Sequence, residues 1–79
     1  MRVFKVMRSI RAAGGLYGAM LMQSGARVVP QGETLTLEIA DVERHICYLK
    51  VARTGETISM ARRAMEYLVA QGHLEEVTS

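Results

Sequence analysis

The chain has 79 residues, 49% of them hydrophobic and 23% charged, with a formal net charge of +2. That is one domain of globular composition, which excludes a disordered polymer. The single cysteine, Cys47, excludes an intrachain disulfide and fits a reducing, cytoplasmic setting. A domain this small buries a modest share of its surface, so a homodimer is expected to supply some of its stability.

The charge is unevenly spread. Arg2, Lys5, Arg8, Arg11 and Arg27 stand in a stretch without a single acid, whereas all the Asp and Glu residues follow Arg27. Such a head attracts phosphates or an acidic protein face, unless it is simply a solvated basic surface balanced by the acidic remainder. Residues 12–22 form the longest nearly apolar stretch, too short and too glycine-rich for a membrane span. Lys5, Arg8 and Arg11 interrupt any secretory apolar region. The Arg-rich, acid-free start has the look of an organelle transit peptide, but removing it would leave too little chain to fold. No membrane association is expected.

In chain order, residues 2–13 read as an amphipathic helix: Val3, Met7 and Ile10 fall at helical spacing, flanked by Phe4 and Val6, with Arg2, Lys5, Arg8 and Arg11 on the other side. Gly14 and Gly15 break it. Residues 16–24 are apolar and uncharged, either a continuation or a second short helix, and Gly25 stops them. Residues 27–29 are β-prone, residues 30–33 carry Pro–Gly turn chemistry, and residues 34–39 alternate strictly between polar and apolar. Together they predict a hairpin over 27–39, with Leu35, Leu37 and Ile39 facing the core. Asp41 suits a helix N-cap, and Val42, Ile46 and Leu49 mark one face of a helix over 42–52, ended by Thr54 and Gly55. Ser59 or Thr57 caps a last helix over about 60–71, burying Ala61, Ala64, Met65 and Leu68, with Gly72 at its C-terminal stop and a short strand over 73–77. The expected fold is α+β: an N-terminal amphipathic helix, a β-hairpin, two further helices and a short C-terminal strand, with helices on one side of a two- or three-stranded sheet.

Little in the chain suggests catalysis. Cys47 and His45 are the only nucleophile–base pair, and residues two apart on a helix point away from each other. The acids occupy polar positions that read as solubility, and Gly14–Gly15 lacks the spacing and lysine of a phosphate loop. His45, Cys47 and His73 are too few and too scattered for a closed zinc site. No enzyme activity, cofactor or metal is expected. An interfacial membrane helix over 2–13 is conceivable on its two faces, yet its apolar residues serve better in so small a core.

Residues 56–77 read ETISMARRAMEYLVAQGHLEEV. Thr57 and Ser59 precede a helix carrying Arg62 and Arg63, which ends in Tyr67–Leu68 and Gly72 and is followed by Leu74–Glu75–Glu76–Val77. This stretch resembles the recognition helix and following strand of winged helix-turn-helix DNA-binding domains. The resemblance implies a winged-helix-like fold and DNA binding with a regulatory or accessory role. Thr57, Ser59, Arg62 and Arg63 would approach the bases, and Arg2, Lys5, Arg8 and Arg11 would hold phosphate. Glu56, Glu66, Glu75 and Glu76 flank the helix and oppose that reading. The alternative is a protein-interaction module, an adaptor or inhibitor. It would meet an acidic partner with the basic N-terminal helix and with Leu16, Tyr17, Met20 and Met22, if those residues are not simply core.

Overall fold

The computed structural model describes residues 1–14 and 26–77. It contains β1 (Val3–Val6), β2 (Ile10–Gly14), β3 (Ala26–Val29), β4 (Thr34–Asp41), β5 (Ile46–Val51), β6 (Thr57–Ala61), α1 (Arg62–Ala70) and β7 (Leu74–Val77). The seven strands form one antiparallel sheet in the order β3-β2-β6-β5-β4-β1-β7.

The expected α+β fold, winged-helix-like with an N-terminal helix, is therefore replaced by a sheet with one short helix among the described residues. Residues 2–13 are two strands. Their apolar residues at even positions, Phe4, Val6, Ile10 and Ala12, are buried, whereas Met7 and all four basic residues are exposed. That is the period of two of a strand, and β-branched and aromatic side chains favour it. Residues 27–39 are not a hairpin: β3 pairs with β2, and β4 pairs with β1 and β5. Residues 42–52 are not a helix. Cys47, Leu49 and Val51 alternate inward along β5, and Asp41 accepts a hydrogen bond at Oδ1 from the Arg44 N–H at 3.1 Å, capping a tight turn instead of a helix. Residues 16–24, and with them Leu16, Tyr17, Met20 and Met22, lie outside the described residues.

Two long segments run side by side across the sheet. β1 leads into β2, and β3 leads into β4, and the two segments keep one antiparallel register, Lys5 opposite Thr34 and Ile10 opposite Val29. Between those pairs, the Val6 N–H donates to the Glu33 carbonyl at 2.9 Å and the Val6 carbonyl accepts from the Gly32 N–H at 2.8 Å. Gly32 sits at φ +97°, a conformation that other residues rarely adopt. The sheet encloses one core in which Phe4, Val6, Leu35, Cys47, Leu49, Ile58 and Leu74 are fully buried. Between Leu37 and Ile39 the β4–β5 register slips by one residue, so Leu37 opposes Leu49 but Ile39 opposes Tyr48. A one-residue slip exchanges the faces. Ile39 accordingly lies outside the core cluster, against expectation, while Leu35 is central to it and Leu37 packs on its margin.

α1 closes one side of the core with Met65, supported by Leu68 and Val69; Ala61 and Ala64 are exposed. It ends as the sequence predicts. The His73 N–H reaches the Leu68 carbonyl and the Gly72 N–H the Val69 carbonyl, which together form a Schellman closure, with Gly72 at φ +79°. A Cβ at residue 72 would meet nothing within 4 Å. Gly72→Ala therefore costs only the left-handed backbone conformation, and should lower unfolding free energy by about 1 kcal/mol in denaturant titrations without changing the near-ultraviolet spectrum.

Candidate functional site

The outer face of the sheet is organised by its register. Lys50 opposes Thr57, Tyr48 opposes Ser59 and Ile46 opposes Ala61 across β5 and β6, and Ala13 of β2 opposes Ser59 from the other side. At one end of this face the chain leaves β6 and enters α1 directly, Ala61 serving as N-cap without a side-chain cap bond and no acid standing in the first helical turn. The four-residue turn between β4 and β5 folds against that junction. His45 takes a positive φ of 56°, and its carbonyl accepts from the Arg62 N–H at 2.8 Å. The turn and the helix start are thereby held side by side.

Between them lies an open groove of about 590 Å³. Its floor is Ala13, Ile46, Ser59 and Ala61, with Met60 beneath; its walls are Arg44 and His45 on one side and Arg62, Arg63 and Glu66 on the other. Arg44 and Arg62 make only loose ion pairs, each 3.9 Å from a carboxylate, with Asp41 and Glu66 respectively. Arg63 makes none among the described residues. Three arginines and one glutamate thus line a shared hollow.

Three of the sequence-derived site residues meet here and a fourth lies nearby on the same strand. Ser59, Arg62 and Arg63 line the groove, and Thr57 shares the outer face of β6, although Thr57 and Ser59 sit in a strand and cap no helix. The basic residues of the first segment do not gather into one stripe. Arg2 makes a bidentate pair with Glu76, both bonds 2.9 Å, and its guanidinium lies 5.2 Å from the Phe4 ring centre. Lys5 stands across from Glu75, and Arg8 lies in the link between β1 and β2. Arg11 projects from the same side of β2 as Ala13, toward the groove's sheet face. Sequence reasoning missed Arg44 and His45, because it placed them inside a helix; the available signal was the Asp41-x-x-Arg44 turn chemistry.

Two further arginines are paired away from the groove. Arg27 pairs with Glu56 at 2.6 Å, and Arg53 pairs at 2.7 Å with Glu33, whose side chain is only 8% exposed. No group of three His, Cys, Asp or Glu side chains among the described residues is placed to hold a metal. No helix among them is long and apolar enough to cross a membrane. Comparison with known protein families, with characterised proteins and with solved structures returns no match.

This geometry shifts three groups, and the first is Arg2, whose guanidinium pKa is raised by its hydrogen bond to Glu76. Burial pushes the Cys47 thiol up, against the opposing pull of Arg62 and Arg2. Thiol reagents should therefore modify Cys47 slowly in the native protein at neutral pH and rapidly once denaturant opens the core, as followed by mass spectrometry. The hydrogen bond from Arg2 holds the Glu76 carboxyl below the ordinary carboxylate range. A depressed acid stabilises the fold above its unfolded value and loses that contribution as pH falls through its folded value. Glu76→Gln should consequently flatten the loss of stability below about pH 4 in acid titrations, while the wild type falls more steeply.

Proposed function

We propose that the protein is a non-enzymatic nucleic-acid-binding module, with a regulatory or accessory role, which holds phosphates in the groove at the start of α1. The observation that carries this reading is the convergence of Arg44, Arg62 and Arg63 around one hollow, with Glu66 as the single acid lining it. Arg2, Arg27 and Arg53 are each paired closely with an acid, Glu76, Glu56 and Glu33, while Arg8 and Arg11 lie outside the groove and make no ion pair among the described residues. Leaving the three groove arginines close together and loosely paired keeps a positive potential that solvent alone would screen.

Guanidinium forks suit phosphate oxygens in geometry as well as charge. Ser59 and Thr57 add hydroxyls on the adjoining strand, and Arg11 extends the positive surface across β2. The DNA reading drawn from residues 56–77 survives in this altered form: Arg62 and Arg63 act from the wall of a groove, in place of a helix projecting into DNA. Arg2 has a structural task, tying β1 to β7.

The test is fluorescence anisotropy of labelled nucleic acid across a salt series. Binding should weaken steeply with salt, as counterion release demands. Arg62→Ala/Arg63→Ala should lower the affinity and reduce the magnitude of the salt slope by about one per lost phosphate contact. Normal binding by this variant, with loss instead in Arg8→Glu/Arg11→Glu, would move the interaction away from the groove. Absence of binding at low salt would overturn the reading and direct attention to an acidic protein partner.

A further inference from the structure

Resting on the phosphate-binding reading of the same groove, we infer that its ligand is a single-stranded segment of nucleic acid, with bases laid on the sheet floor and phosphates held at the arginine walls.

The groove has two chemistries. Its floor is small and uncharged: Ala13, Ser59 and Ala61, bordered by Ile46. These residues come from three adjacent strands, and the opposed pairs Ala13–Ser59 and Ile46–Ala61 place them side by side on one face. Small side chains leave that face low and flat between the walls. The walls are cationic, Arg44 on the turn and Arg62 and Arg63 on the helix start. A nucleotide has the matching division, a planar base with two weakly polar faces beside an anionic phosphate.

In a duplex the base faces are stacked on one another and only the edges reach solvent. The floor would then have nothing to cover, and the phosphates would have to enter a hollow from a convex surface. Duplex readers instead push a projecting helix or ribbon into a groove about 12 Å wide. Here α1 is a nine-residue helix whose Met65 is buried and whose first turn forms a wall of the hollow. A single strand exposes its base faces and bends locally, so one unit after another can enter. A volume of about 590 Å³ falls within the roughly 300–1,000 Å³ that encloses a small organic ligand, room for one or two nucleotides at a time. Known single-strand binders combine a positive groove with aromatic side chains that stack on the bases; here small aliphatic side chains take the place of the aromatic ones.

The experiment compares three labelled probes of equal length, about 15 nucleotides, which is near the upper end of the span of one small single-strand-binding domain. They are an oligothymidylate, the same strand annealed to its complement, and an abasic strand with an identical phosphate backbone. At low salt the oligothymidylate should bind about tenfold more tightly than either of the others, as burial of roughly 60 Å² of base face against the floor at about 25 cal/mol per Å² would allow. Its log K against log salt should have a slope of about −2, from three arginine–phosphate contacts on a single strand. Arg62→Ala/Arg63→Ala, both exposed positions, should abolish the preference along with most of the binding. Duplex binding as tight as single-strand binding would overturn the inference and leave the phosphate-binding function standing. Equal affinity for the abasic strand would do the same, by removing any role for the floor. Undiminished single-strand binding by the double variant would place the ligand elsewhere and overturn it too. No binding of any probe would end both the inference and the function on which it rests.

Discussion

Two backbone hydrogen bonds at Val6 hold the sheet's two long segments together. There the first segment, passing from β1 to β2, stays paired with the second, passing from β3 to β4, in one register from end to end. Phe4 and Leu35 from one half and Ile10 and Val29 from the other thereby share a single interior. Burying the Glu33 side chain beside these bonds has a cost, offset by the Arg53 guanidinium that reaches it from the β5–β6 loop.

The groove inherits its form from the same architecture. The chain leaves β6 for α1 with no loop between them, and the β4–β5 turn must fold tightly to meet that junction. His45 takes a left-handed conformation there and gives its carbonyl to Arg62. Cations at a helix start oppose the helix dipole, and a helix start without a side-chain cap forgoes a further stabilising bond. Both departures from the most stable arrangement fall on the residues that wall the groove. Elsewhere the described chain follows the stabilising rule, as in the glycine closure at Gly72.

The parts of the fold that were legible in advance are those where one local signal had no rival. Alternation over residues 34–39 identified β4, Gly72 ended α1 where expected, and the short last strand followed. Residues 2–13 and 42–52 were misread because each satisfies two periods at once. Val3, Met7 and Ile10 fit a helix, while Phe4, Val6, Ile10 and Ala12 fit a strand, with Arg8 hiding the alternation at the bend. Likewise Val42, Ile46 and Leu49 compete with Cys47, Leu49 and Val51. In such short windows, the pairing available from distant strands decides between them. The bulge beyond Leu37, which turned Ile39 outward, left no mark in the alternating pattern. Arg62, Arg63, Ser59 and Thr57 were found through local resemblance, which needs no knowledge of the fold. Arg44 and His45 required it, since they join the groove only through the turn's contact with α1.

The bond between Arg2 and Glu76 joins residues 74 positions apart, and β1 lies between β4 and β7. β1 is therefore synthesised well before the neighbour that completes it. At ordinary rates of synthesis it waits on the order of ten seconds for β7. Throughout that interval one edge of β1 is open to any other extended chain nearby, an invitation to aggregation that Arg2 and Lys5 discourage by their charge. The positive charge on and beside β1 thus guards a strand edge until β7 covers it.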